Sequence, residues 1–387
     1  MTNNLLATIS YLRHANNLVI LRSAGSVWQD AFLKELCQGV DLVDLSSPVL
    51  RDLALRQPGE LLGKYPDDAV WANIQYAPQL LTLMLEDGRH RLLLTTQGCG
   101  LLEGLQDAGK AVMLDLPLHG DVDAPFVPQL NSLERFSSTE YTGTWEKVFA
   151  GRLMKASALK KSGREPVFSR YLTKILQQDM IAMAGISDEQ KLYRFLCAAA
   201  ASVGQLVNYA MLAKAADISA PTAKQWLSLL EGAGVVYLLQ PIDKPELKRT
   251  ARASKLYFRD SGLAAYLLHL GSVAELTSSP FSQGLLECYV ISCLVDSYLA
   301  QGLEAEFFCF RDSNAKEFSL LLQFDGTIYP VDIKQFAFPG RKLVKKLKSL
   351  QPLQDAGKLQ VGNGCVIGVD IKGEVENGVL MVSAAAL

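Results

Sequence analysis

Asn17-Leu18-Val19-Ile20-Leu21-Arg22-Ser23-Ala24-Gly25-Ser26-Val27-Trp28-Gln29-Asp30-Ala31-Phe32-Leu33-Lys34-Glu35-Leu36 is the stretch on which the reading of this chain turns. Its apolar run Leu18 to Leu21 predicts a buried strand, and Asp30 to Leu36 has the spacing of an amphipathic helix. A strand-loop-helix of this shape holds phosphates when glycine amides cradle them, a lysine reaches the outer ones and a Ser or Thr hydroxyl sits on magnesium. Here only Gly25 remains of the glycines, and in the best register Trp28 and Gln29 stand where the lysine and threonine belong. The shape of a phosphate site is kept without its chemistry. Trp28 reads as a core aromatic filling the vacated space, with a new ligand contact as the alternative.

Outward from this stretch, the chain up to about residue 120 alternates short apolar strands with helical patterns, as α/β domains do. Val40 to Leu45, Asp68 to Trp71, Arg91 to Thr95 and Lys110 to Leu114 are the further strand candidates. A polar segment from His119 to Arg164, with Pro125, Pro128, Gly143, Gly151 and Gly163, leads to a boundary. Ser169 to Glu231 is helical in pattern. From about Ser261 a helix (Gly284 to Leu299) is followed by strands at Glu306 to Phe310, Glu317 to Phe324 and Thr327 to Lys334. Three domains are expected, over 1–150, 151–260 and 261–387. Phe195 to Leu212 carries no charge, but Ser202, Gly204, Gln205, Asn208 and Tyr209 interrupt it. A buried helix pair fits it better than a membrane span, since unpaired polar groups are costly in lipid.

At 387 residues with a net charge of −2, the chain has no global pull toward nucleic acid, so any such binding must be local. Cys37, Cys99, Cys197, Cys288, Cys293, Cys309 and Cys365 are scattered and form no CxxC pair. With no export pattern near Met1, they point to a reducing cytoplasm and no structural zinc.

In the helical middle, Leu206 to Ala216, the turn Asp217-Ile218-Ser219 and Ala220 to Glu231 predict a helix-turn-helix. Ser219 is placed to cap the second helix, Pro221 is tolerated in its first turn, and Trp226, Leu227, Leu229 and Leu230 give it an apolar face. Val235 to Leu239 then starts a wing-like strand. A winged helix of this kind reads DNA through the second helix, where Thr222, Lys224, Gln225 and Ser228 are expected to be exposed. One cation is electrostatically thin for that role, and use as a packing module is the other reading.

Three segments carry a family resemblance. They are Ile74-Gln75-Tyr76-Ala77-Pro78, Thr222-Ala223-Lys224-Gln225-Trp226-Leu227-Ser228-Leu229-Leu230-Glu231 and Lys255-Leu256-Tyr257-Phe258-Arg259-Asp260-Ser261-Gly262-Leu263-Ala264-Ala265-Tyr266-Leu267, the last followed by Gly284 and Glu287. In this order the chain resembles the prokaryotic AAA-like ATP-binding proteins, from about Leu18 to about Lys334. The resemblance implies an α/β chain with a P-loop NTPase-like (AAA-like) N-terminal domain, a helical and winged-helix middle, and a restriction-endonuclease-like C-terminal domain.

Its departures fall where the chemistry would sit. After the strand ending at Trp71 the family has Asp-Glu for magnesium and water; here stand Ala72 and Asn73. The polar segment after the next strand becomes Thr95-Thr96-Gln97, Lys110 matches a family arginine, and Leu176-Gln177-Gln178-Asp179 lacks a charged pair. Phosphoryl transfer is nearly all positioning and electrostatics, so ATP hydrolysis is not expected. A nuclease of the implied C-terminal type needs a helical Glu, an Asp on a hairpin strand and an Asp/Glu-x-Lys on the next, to hold a metal and activate water. Glu287, Asp332 and Lys334 are present, but Ser319 takes the place of the Asp. The three read as a buried ion network or as the remnant of a weak nuclease.

Two basic clusters remain: Lys244, Lys248, Arg249, Arg252, Lys255 and Arg259 near the wing, and Arg341, Lys342, Lys345, Lys346 and Lys348 after the Asp332-Ile333-Lys334 strand. They fit either a nucleic-acid backbone or a solvated face. The expectation is a catalytically inactive AAA-like paralogue, without cofactor or metal, acting as a cytoplasmic binding or scaffold protein on nucleic acid or with an active ATPase relative.

Overall fold

Five short aliphatic runs build the first sheet: β1 (Leu18–Arg22), β2 (Leu42–Asp44), β3 (Val70–Ala72), β4 (Arg91–Thr95) and β5 (Val112–Asp115). They pair in the order β2-β3-β4-β1-β5, every neighbour parallel. Side chains alternate across a strand, so a sheet covered on both faces needs apolar residues at every position. Leu18, Ile20, Trp71 and Leu93 accordingly enter one core cluster with residues of the Pro48–Arg56, Pro58–Lys64 and Leu80–Glu86 helices. Val19, Leu21, Val70, Leu92 and Leu94 enter another, beneath Leu5 and Ile9 of the Thr2–Ala15 helix and Phe32 of the Val27–Leu36 helix. The computed structural model describes residues 2–23, 27–95, 105, 109–118, 125–137, 142–153, 163–173, 188–243, 253–303, 305–312, 316–336, 340–351, 355 and 360–387.

The second sheet is mixed. It comprises β6 (Val236–Pro241), β7 (Lys255–Phe258), β8 (Glu306–Arg311), β9 (Glu317–Phe324), β10 (Thr327–Lys334), β11 (Gln360–Val361), β12 (Cys365–Gly368), β13 (Glu374–Glu376) and β14 (Val379–Ser383). Its order is β13-β14-β12-β10-β9-β8-β6-β7, with β11 beside β10. β9 and β10 form a hairpin whose two loop residues, Asp325 and Gly326, both have positive φ, the twist that matches adjoining antiparallel strands. The chain is thus of α/β class, with one parallel and one mixed sheet.

Along the chain between β5 and β6 come the Glu189–Ala201, Tyr209–Ala216 and Ala220–Gly232 helices. Phe195 to Leu212 is divided between the first two of these, and among the described residues no helix is long and apolar enough to cross a membrane. Asn208 and Ser219 cap the latter two, each accepting an amide three residues on. Asp217 turns the chain between them in the left-handed region, φ 54°. Trp226 packs edge-on against Phe195, their centroids 5.5 Å apart, and β6 pairs antiparallel with β7 at the place of the expected wing-like strand.

Among the described residues the clusters of buried side chains change over near residue 117. One continuous cluster runs from Leu118 to Ala384, while Leu116 belongs to the first sheet. The reason is what the 118–150 segment touches. The Leu118 amide donates to Asp296, the Phe126 amide to Ser297, and Ala150 closes on Gly262, where a Cβ would stand 2.6 Å from the Ala150 carbonyl. Nor does the 260/261 boundary separate two cores, because β6 pairs with β7 on one side and in parallel with β8 on the other.

Candidate functional site

In an open α/β sheet, ligands bind beyond the carboxyl ends of the strands where the order reverses, here around β1 between β4 and β5. The side chains at that edge are joined to one another. Gln29 is fully buried; its Oε1 accepts from Ser23 Oγ at 3.0 Å and its Nε2 donates to the Leu116 carbonyl at 3.0 Å. Ala72 ends β3 with a buried methyl. Asn73 follows in the left-handed region, φ 57°, and its Nδ2 donates to Asp44 at 2.7 Å. Gln75 Nε2 donates to Asn73 Oδ1 at 3.2 Å, and Thr95 Oγ1 donates to Gln75 Oε1 at 2.9 Å. Arg22 forms an ion pair with Asp115 across β1 and β5.

A hydrogen-bonded chain from the Asp44 carboxylate through Asn73 and Gln75 to Thr95 therefore spans the edge from β2 to β4, and a second bolts the Val27–Leu36 helix to Leu116, just after β5. The Asn73 and Gln75 amides are engaged in these bonds, with the Asp44 carboxylate at one end of the chain. Gly25, the Trp28 side chain, Thr96, Gln97 and Leu176 to Asp179 lie outside the described residues. Lys110 is exposed. Sequence reasoning placed Gln29 and Asn73 as absences of function; it missed Gln75 and Asp44, which carry the network.

The second centre lies on the mixed sheet. Glu287, on the Ser282–Leu299 helix, is buried and accepts from Tyr257 Oη at 2.8 Å, Gln283 Nε2 at 2.9 Å and Ser319 Oγ at 3.2 Å. Burial, then the neighbouring Glu287, pushes the Tyr257 phenol well above its usual range, so it stays a donor. Gly284 makes this approach feasible: a Cβ there would lie 2.6 Å from the Val203 carbonyl. Asp332, with no exposed surface, lies 3.8 Å from Lys334 Nζ and 2.5 Å from Lys346 Nζ. Lys346 Nζ also donates to the Glu317 carbonyl at 2.9 Å and stands 5.7 Å from the Phe318 ring centre.

Glu287, Ser319, Asp332 and Lys334 are thus brought together, with an ammonium group on Asp332. A restriction-type nuclease would hold a divalent ion at such carboxylates. These residues do not fit one: among the described residues no three His, Cys, Asp or Glu side chains cluster to hold a metal, and Lys346 already satisfies Asp332. Nor is there a ready thiolate, since burial pushes the adjacent Cys288 thiol far above its ordinary range.

The basic clusters need correction. Lys346 faces inward rather than toward a polyanion, and within the wing cluster Lys255 is buried against Glu317 and Arg259 is paired with Asp296. Carboxylate partners distant in sequence, Asp332, Glu317 and Asp296, decide this, which a run of charges in one dimension does not reveal. Lys248, Arg249 and Arg252 lie outside the described residues. Lys224, Gln225 and Ser228 are exposed on the second helix of the helix-turn-helix, whereas Thr222, expected with them, is half-buried and bonded to the Ser219 cap; Lys345 is exposed after β10.

Residues 153–274 match the model of a domain of unknown function (DUF8612). Over 183 residues the chain is 28% identical to Uncharacterized protein Rv2008c of Mycobacterium tuberculosis, and equally to Uncharacterized protein Mb2031c of Mycobacterium bovis. The match takes in 47% of this chain and 41% of each relative, so this chain accounts for under half of their length. Among solved structures, a chain of "Structure of Drosophila ORC bound to AT-rich DNA and Cdc6" aligns with 70% of this chain and 94% of its own, at 13% identity. Its TM-score of 0.20 is too low to carry a structural argument.

Proposed function

We propose that this chain is a catalytically inactive relative of the AAA-like ATPases, working as a binding or scaffold protein on nucleic acid or with an active relative. The observation that carries this reading is the closure of both centres by the chain's own side chains. Asn73, Gln75 and Thr95 bond to one another at the edge of the parallel sheet, and Lys346 neutralises Asp332 at the mixed one. Of the replacements among the described residues, Gln29, Asn73 and Ser319 are each hydrogen-bonded where they stand. That is the signature of a fold kept for its surfaces. The alternative, a weak metal-dependent nuclease using Glu287, Asp332 and Lys334, requires the Lys346 ammonium to leave a buried carboxylate.

Calorimetric titration of the purified chain with magnesium ATP is expected to give no binding heat, and incubation with manganese and linear DNA no cleavage. Micromolar ATP affinity would overturn the inactive-ATPase reading. Cleavage lost on Lys334→Ala would put the nuclease in its place.

A further inference from the structure

The Gly340–Leu347 helix is sharply two-faced. Leu343, then Leu347 and Leu350 beyond it, pack into the cluster beneath β9 and β12, while Lys346 reaches inward to Asp332. Arg341, Lys345 and Lys348 are exposed on the opposite side, at i, i+4 and i+7. Among the described residues these three cations make no ion pair or hydrogen bond. Arg341 and Lys345 are spaced roughly 6 Å along the axis and Lys348 follows one turn later, so the three form a single stripe. Phe336, just before this helix, is 78% exposed. Five residue-to-residue steps separate it from Arg341, a reach of at most about 17 Å. An exposed aromatic ring within that reach of a cationic stripe satisfies nothing within the chain itself.

We propose that Phe336 and the Arg341, Lys345 and Lys348 stripe form a docking surface for single-stranded nucleic acid. The cations track the phosphates and the ring stacks on an unpaired base. Stacking needs a base whose face is free, which a duplex does not offer, so the aromatic selects single strands while the cations are indifferent to sequence. An anionic membrane is the poorer partner, because the leucines an interfacial helix would push into lipid are already buried in this protein's core. The inference rests on the reading of this chain as a binding protein: the strand would pass beside the Lys346–Asp332 pair, where nothing is poised to cut it.

The test is fluorescence anisotropy of the full chain with oligothymidine of about 20 nucleotides and with a duplex of that length, in about 50 and 200 mM salt. Single strands are expected to bind more tightly than duplex. Phe336→Ala should weaken single-strand binding about tenfold, change duplex binding less than about twofold, and be rescued by Phe336→Trp. Lys345→Ala with Lys348→Ala should lower the slope of log affinity against log salt by about 1.4. Single-strand affinity unchanged in Phe336→Ala, a preference for duplex, no binding by the parent at low salt, or binding only to phosphatidylserine vesicles would each overturn the proposal. None of these outcomes alters the ATP titration, so the two readings fail separately.

Discussion

Asp296→Ala is expected to destabilise the larger core by about 3–5 kcal/mol, because it leaves two arginines buried without their counter-ion. Asp296 has no exposed surface and lies 2.6 Å from Arg259 Nη2 and 3.5 Å from Arg152 Nη2. It also accepts the Leu118 amide at 3.1 Å. The Arg152 and Arg259 side chains are themselves only 10% and 12% exposed, so neither can turn to water at small cost. At roughly 2–4 °C per kcal/mol, the melting temperature should fall by about 10 °C. Replacing Asp296, Arg259 and Arg152 together by Leu, Met and Leu should recover most of the loss, since an apolar triad of similar volume needs no charge balance. A fall below about 2 °C for the single change would show that Asp296 does not balance the two arginines.

Lys346→Met should cost about 3 kcal/mol by the same logic at the other centre. Methionine keeps the apolar stem against Phe318 but removes the charge 2.5 Å from Asp332, leaving Lys334 at 3.8 Å as its nearest cation. Adding Asp332→Asn should recover roughly half, because it removes the orphaned charge and leaves a group that can still accept the Ser319 amide. Urea unfolding of the four proteins of this cycle measures it. Strictly additive effects would mean that Lys346 and Asp332 are neighbours without coupling.

The parallel sheet was legible in sequence because its strands are buried on both faces. Leu18 to Leu21 and Leu92 to Leu94 are unbroken apolar runs, and no surface pattern competes with them. The helix-turn-helix was legible from Ser219, Pro221 and the Trp226 stripe, all local signals. What escaped is non-local. Helical spacing does not tell that Gln75 meets Asn73 and Thr95 rather than solvent, or that one lysine among Arg341 to Lys348 turns inward while its neighbours do not. The segment from His119 to Arg164 reads as irregular structure leading to a boundary from its prolines and glycines, yet among its described residues Phe126 donates to Ser297 and Ala150 closes on Gly262 of the later core. Composition marks irregular backbone; it does not say whose surface that backbone covers.

The pairing of β6 with β8, distant in sequence, sets a timetable for synthesis. Everything in the first sheet lies before residue 117, so that unit can close while the ribosome is still translating. The wing cannot: its edge is filled only by Glu306–Arg311, and the cluster around it is completed by Ala384. At about 5–20 residues per second, translation from 117 to 384 takes roughly 15–50 s, during which the helical middle waits beside a finished neighbour with its apolar faces uncovered. Protease treatment of stalled nascent chains should therefore find a resistant N-terminal unit early and a cleavable middle until the last strand has left the exit tunnel.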